Sequence, residues 1–438
     1  AAPAAAAPPS GVRATLSPAN RPGISSADGQ NTLELTSRLH LDFADYLRVH
    51  PQTPTGQHSL TSGVNARRAR IGVLGKFMGD WNYALILDFG GSSDSNTAIG
   101  ARTSDIVNAF ISYVGFRPVA IDLGYMKVPW TLDEATDSND IMFIERASSN
   151  VVATGLAAGQ SRLAFGVRWN TDRAWAGAYL TGPTSGALHS GSNQQQLGGV
   201  ARATYQLLQS STYSLHLGLD GEYVFRPRAN GSSATSIANT VILSDRPELR
   251  VDPTEFINTG AIPAKNAAVY GVEAAAGLGS FYAQGEYYIY QVTQSGLAAG
   301  APTPELTFDG GYVEASYTLT GEARNYIPTA GAYSAIIPAQ PVGSGGWGAW
   351  ELAARYSYVN LNDHVTPGVA PTATGGVFGG RQNVYTIGIN WYPVTNIRFM
   401  LDYLYADVNK IPTATAVGGS TTPGAVIQAI ALRTQVAF

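Results

Sequence analysis

Arginine recurs along this chain wherever apolar and polar side chains alternate: Arg38, Arg68, Arg70, Arg162, Arg168, Arg202, Arg226, Arg355, Arg398 and Arg433. A guanidinium stays charged at any relevant pH and presents a planar fork of N–H donors that matches carboxylate and phosphate oxygens. A wall of such groups lowers the barrier for a passing anion. The same alternation puts Asp42, Asp88, Asp122, Asp220, Glu222, Glu351 and Asp402 on that face, where acid and base can equally pair and brace the wall. The sequence leaves both uses open. Arg67, beside Arg68, reaches this face only from a bulge or a strand end.

Positioning such a set requires strands. Trp81, Tyr83, Leu85, Leu87 and Phe89 share one face, with Asn82, Ala84 and Asp88 on the other. Further on, Ile397, Phe399, Leu401, Tyr403 and Tyr405 lie opposite Arg398 and Asp402. Period-two alternation over about ten residues marks a tilted, membrane-crossing strand. Sixteen such runs follow one another, from 31–47 to 424–438, the last alternating up to Phe438. Short turns such as Gly79-Asp80 and Gln209-Ser210 alternate with long loops, as expected of an all-β, antiparallel transmembrane barrel with its apolar face toward lipid. Residues 320–346, with Pro328, Pro338 and Pro341, break this rule as a long turn on the short-turn side.

Composition agrees. The 438 residues include 49 glycines, 23 tyrosines, no cysteine and only 13% charged residues, which is low for a soluble chain of this length. No apolar run reaches the ~18 residues of a transmembrane helix. Residues 1–30, rich in Ala, Pro and Ser, read as a flexible periplasmic segment of a chain whose signal peptide is already removed. Residues 31–438 read as one barrel domain. A net charge of −4 excludes a strongly basic nucleic-acid binder. His40, His50, His58, His189, His216 and His364 show no metal-ligand spacing, so neither metal nor cofactor is expected. Gly343 to Gly348 fits the pattern GxGxxG but precedes a strand, the wrong context for a dinucleotide. No Ser–His arrangement shares a strand face, so no enzyme activity is expected, and no 40–50-residue repeat supports a propeller.

The loop 129–159 stands apart. Thr131 to Glu134 forms a capping-box pattern, and Ile141-Met142-Phe143-Ile144-Glu145-Arg146 is too apolar for a loop in water. The expectation is that this third outer loop folds into the lumen, the alternative being a loop helix packed on top of the barrel.

Several motifs resemble the phosphate-selective porin O/P family. They are Ser26-Ala27-Asp28-Gly29, Arg67-Arg68-Ala69-Arg70-Ile71-Gly72, Tyr83 through Asp88-Phe89 and Lys127-Val128-Pro129-Trp130 through Phe143-Ile144-Glu145-Arg146. Tyr317 to Glu322, Trp347-Gly348-Ala349-Trp350-Glu351 and Asn390-Trp391-Tyr392-Pro393 complete the set. The resemblance implies a homotrimeric, sixteen-stranded porin of the bacterial outer membrane, with lipid and lipopolysaccharide around it and small anions passing a third-loop constriction. It places Arg67, Arg68, Lys127 and Arg146 at that eyelet, with Asp88 as the strand-borne acid and Arg38 and Arg70 as additions. Arg162, Arg168, Arg202, Arg226, Arg355 and Arg398 continue the lining. One departure concerns lysine. The phosphate-specific relatives resemble a lysine-lined funnel, and this chain has only Lys76, Lys127, Lys265 and Lys410. A passive, anion-preferring porin is expected, with a general or weakly selective diffusion porin as the alternative.

Overall fold

The computed structural model describes residues 11–438 except 54–55, 57–58, 91–104, 158–160, 185–194, 211, 228, 231–237, 296–301, 367–368 and 411–422. Sixteen long strands form the barrel: β1 Thr32–Pro51, β2 Gly63–Phe77, β3 Trp81–Asp88, β4 Asp105–Tyr113, β5 Val119–Met126, β6 Arg162–Asn170, β7 Ala174–Thr184 and β8 Leu197–Gln209. They continue as β9 Tyr213–Arg226, β10 Ile262–Leu278, β11 Phe281–Gln294, β12 Glu305–Thr318, β13 Ala349–Asp363, β14 Val377–Val394, β15 Ile397–Asn409 and β16 Ala425–Ala437. Each pairs antiparallel with the next, and β16 closes onto β1, from Ala425 opposite Pro51 to Ala437 opposite Arg38. Closure leaves the wall without an open sheet edge, which a span in lipid requires.

Burial separates the two faces. Along β15, Phe399 and Leu401 are exposed while Arg398, Met400, Asp402 and Leu404 are buried. Across the barrel the exposed set includes Phe43, Ile71, Leu85, Phe165, Leu180, Leu219, Val272, Ile387 and Leu432. An apolar belt of that extent belongs in lipid, not water. At the short-turn end it carries ring pairs: Phe77–Trp81 stacked at 5.9 Å, Trp81–Tyr113 tilted at 4.8 Å, and Trp350–Trp391 and Trp391–Phe399 stacked at 5.5 and 5.4 Å. Such rings suit the membrane–water boundary.

Two stretches outside the sixteen strands also carry paired backbone. Within the segment expected to be a flexible tail, Val12–Leu16 pairs with Pro22–Ser26, and that hairpin docks on the start of β1. The exceptional turn between β12 and β13 carries a small hairpin, Tyr326–Ile327 with Ala332–Tyr333. Trp175 Nε1 donates to the Thr329 carbonyl at 3.1 Å, and Arg202 donates to the carbonyls of Ala330 and Gly331 at 3.0 and 2.7 Å. That length of turn is satisfied by inward-facing groups of β7 and β8.

The main buried cluster joins Tyr288, Tyr290, Phe308, Val359, Met400, Leu404 and Ile427 of the strands to Ile144, Val152 and Leu156 of segment 129–159 and to Leu249 and Phe256. The expectation that aromatic faces look only to lipid therefore fails on β11 and β12. Tyr282, Tyr288, Tyr290 and Tyr312 are buried on the inward face, because loop segments cover them.

Candidate functional site

Register builds the site row by row. Arg38 on β1 stands opposite Arg70 on β2, and Arg70 opposite Asp88 on β3. His40 stands opposite Arg68 in the next row, and the pairing then jumps to Leu41 opposite Ala66. Arg67 is the extra residue of that bulge, so two consecutive arginines both turn inward.

Arg70 Nε lies 2.6 Å from Asp88 Oδ2, and Asp88 also accepts the amides of Ala69 and Gly90 at 3.0 and 2.9 Å. Arg38 pairs with Asp137 at 2.7 Å and bonds Ser138 Oγ at 2.5 Å. Arg67 grips both oxygens of Glu145 at 2.6 and 3.1 Å. Arg433, from β16, binds Asp42 through two contacts of 2.6 and 2.7 Å and reaches Glu145 at 3.1 Å. Burial alone would raise the Glu145 carboxyl, but Arg67, Arg68 and Arg433 outweigh it and hold it well below the usual carboxylate range. Among the described residues Arg68 has no carboxylate partner; its Nη1 lies 3.3 Å from His40 Nδ1.

Segment 129–159 supplies the facing groups. In it, α1 (Leu132–Ala135) begins at Thr131, whose hydroxyl accepts the Glu134 amide at 3.1 Å as the capping pattern predicts. The helix start is also held by Glu286 of β11, which accepts the amides of Leu132 and Asp133 at 2.7 and 3.0 Å. Further along, α2 (Ser148–Thr154) meets the inward tyrosines: Tyr290 donates to the Ser149 carbonyl at 2.8 Å, and Asn150 donates to the Tyr288 hydroxyl at 3.1 Å. Between them the strip 139–146 is clamped through its own backbone. Arg398 donates to the carbonyls of Ile141 and Asn139 at 2.7 and 3.2 Å, Asn390 to that of Met142 at 2.9 Å and Arg355 to that of Glu145 at 2.9 Å. The Ile144 amide donates to Asp402 at 2.8 Å.

Lys127, at the head of the segment, sits 3.5 Å from Glu134 with 31% of its side chain exposed. Burial of the remainder and the nearby Arg146 lower its pKa to about 8, against the pull of Glu134 and Asp137. Arg146 turns back on its own segment, 3.1 Å from Glu134 and bonded to the carbonyls of Asp133 and Thr136 at 3.0 and 2.7 Å.

The other expected lining arginines also face inward, each with partners. Arg168 pairs with Asp122 at 3.0 Å, Arg202 with Glu273 at 2.8 Å and Arg355 with Glu248 at 2.6 Å. Arg162 donates to the Gly155 carbonyl at 2.9 Å and Arg226 to that of Gln195 at 2.7 Å. Sequence reasoning missed Glu145 and Arg433 as one clamp. It also missed Glu248, which reaches the wall from the stretch between β9 and β10, and Arg324, which pairs with Glu351 at 2.8 Å from the turn after β12. Glu145 had a local signal, a charge ending an apolar strip. The others depend on contacts more than a hundred residues away or on loop paths that alternation does not encode.

The family model for phosphate-selective porins O and P matches residues 33–438. Porin O of Pseudomonas aeruginosa is 25% identical over 403 residues, covering 89% of this chain and 86% of that protein. Among solved structures, an anion-selective porin from Comamonas acidovorans superposes with a TM-score of 0.53 at 12% identity, covering 93% of this chain and all of that one. The trimer form of OmpT from Vibrio cholerae gives 0.50 at 10% identity, covering 93% and 99%. At such identities the structural matches establish the fold, a porin barrel of the outer membrane.

Proposed function

Because the chain belongs to the phosphate-selective porin O and P family, we propose that this outer-membrane porin passes small hydrophilic solutes with a preference for anions. The observation that carries the reading is a charge excess on the wall of β1–β3. Arg38, Arg68 and Arg70 there, with Lys127 just past the end of β5, face Asp88, Asp137 and Glu134, so four cations stand against three carboxylates. Arg38, Arg70 and Lys127 keep 17%, 20% and 31% of their side chains accessible, which leaves them able to meet an ion. Segment 129–159 lies across the lumen in this reading and narrows it to an eyelet there. Arg67, Arg146, Arg355, Arg398 and Arg433 hold the eyelet's shape, and their charge is spent on carboxylates and carbonyls.

Reversal potentials in planar bilayers under a KCl gradient test the proposal: chloride should permeate faster than potassium, and the opposite order ends it. High phosphate affinity is a separate matter. Lys410 is buried against the Asn258 carbonyl at 3.3 Å, which leaves Lys265 without a companion for a lysine funnel. Chloride current should therefore show no saturable block by millimolar phosphate. The trimer form of the Vibrio protein supports a homotrimer, which native mass measurement in detergent decides.

A further inference from the structure

On the wall away from the arginine row, three carboxylates come from three adjacent strands. Glu273 of β10 stands directly opposite Glu286 of β11, and Asp220 of β9 lies opposite Gly271, two residues from Glu273. Ligand oxygens from the three lie within 4.8 Å of one another. Like charges directly across a sheet repel, and these are buried, at 8% exposure for Asp220, 3% for Glu273 and 4% for Glu286.

Their partners do not balance them. Glu273 takes Arg202 at 2.8 Å and His216 Nε2 at 2.8 Å. Among the described residues Glu286 accepts only neutral donors, the amides at the start of α1 and the Tyr312 hydroxyl at 2.6 Å. Neither oxygen of Asp220 has a hydrogen-bond partner among the described residues, although Arg202 stands opposite it in the register. Three carboxylates less one guanidinium leave a formal charge of −2. The backbone also makes room. A Cβ on Gly271 would stand 2.1 Å from Asp220 Oδ1, and one on Gly218 would stand 2.3 Å from Glu273 Oε1.

We propose that Asp220, Glu273 and Glu286 form a binding site for a hard divalent cation of the calcium type. Carboxylate oxygens with adaptable spacing suit Ca²⁺, which accepts six to eight oxygen ligands in flexible geometry, better than a transition metal. One such ion cancels the residual charge and gives the Asp220 carboxylate a partner. Through Glu286 the ion also steadies the start of α1.

The test is Ca²⁺ binding to the purified, folded barrel after chelator stripping, by calorimetry and by Tb³⁺ luminescence, which Tyr288 and Tyr312 can sensitise. One saturable site per chain is expected, with a dissociation constant of about 10⁻⁵–10⁻³ M. Asp220→Asn should weaken it at least tenfold, and Glu305→Gln, at an exposed strand end, should leave it unchanged. Gly271→Ala, which pushes the Asp220 carboxylate aside, should weaken it comparably and decides the matter if Asp220→Asn does not fold. No saturable uptake, or wild-type affinity in a folded Asp220→Asn or Gly271→Ala variant, overturns the proposal. Because binding is read without conduction, its failure leaves the anion reading standing.

Discussion

Lys127→Gln gives the sharpest test of the eyelet. The side chain is a third exposed and lies 3.5 Å from Glu134, so it faces both water and protein. A unit charge is worth about 1 kcal/mol at 4 Å in water and roughly 0.7 at 6 Å. Removing it raises the barrier for an anion and lowers that for a cation, which shifts their ratio by about 1.4 kcal/mol, tenfold before screening. Glu134 already offsets part of the charge, and salt screens over ~8–10 Å, so a three- to fivefold fall in the chloride/potassium permeability ratio is expected at about pH 6. The same loss should appear in the wild type on raising pH. With its pKa brought down to about 8 by burial and Arg146, Lys127 is cationic below that pH and neutral above it. Anion preference is thus fully present at pH 6 and declines as pH rises through 8. Against burial, Glu134 and Asp133 raise the pKa of the neighbouring Arg146, which keeps its charge throughout. Reversal potentials at pH 6, 7, 8 and 9 for wild type and variant provide the assay. Wild-type selectivity in the variant at pH 6, or an undiminished pH 8 step in it, refutes the reasoning.

Arg68→Gln should reduce chloride conductance more than Arg168→Gln, because Asp122 already offsets Arg168 at 3.0 Å; single-channel recording compares them. Glu145→Gln removes an anion shared by Arg67 and Arg433, and breaking a buried pair costs about 3–5 kcal/mol. It should loosen strip 139–146, seen as current flicker and new proteolytic cuts there. Glu351→Gln frees Arg324 and should expose the turn 319–348 to protease while leaving the barrel's heat-modifiable mobility on gels intact.

The barrel was legible because lipid on one side and polar groups on the other impose a period of two that each strand carries locally. The run read as 31–47 is Thr32–Pro51, and that read as 424–438 is Ala425–Ala437. The rule failed where the inner wall faces protein. Tyr288 and Tyr290 look inward because α2 lies on them, and nothing near them in sequence announces it. Arg67 and Arg68 were legible as a pair from their adjacency. That Arg433, 288 residues beyond Glu145, closes the same clamp depends on β16 returning to β1. The turn after β12 stood out only as an exception to a length rule, since its bonds run to Trp175 and Arg202 on strands far upstream.

The burial of side chains beneath the loop segments makes the interior lopsided. Inward residues of β10–β16 such as Tyr288, Phe308, Val384 and Ile427 are sealed off, whereas Arg38, Arg70, Asp88 and Asn108 on β1–β4 keep contact with solvent. On the function proposed above, water runs as an off-centre thread along one arc of the wall. A survey of single substitutions around the ring would then find permeation governed by that arc and folding governed by the rest.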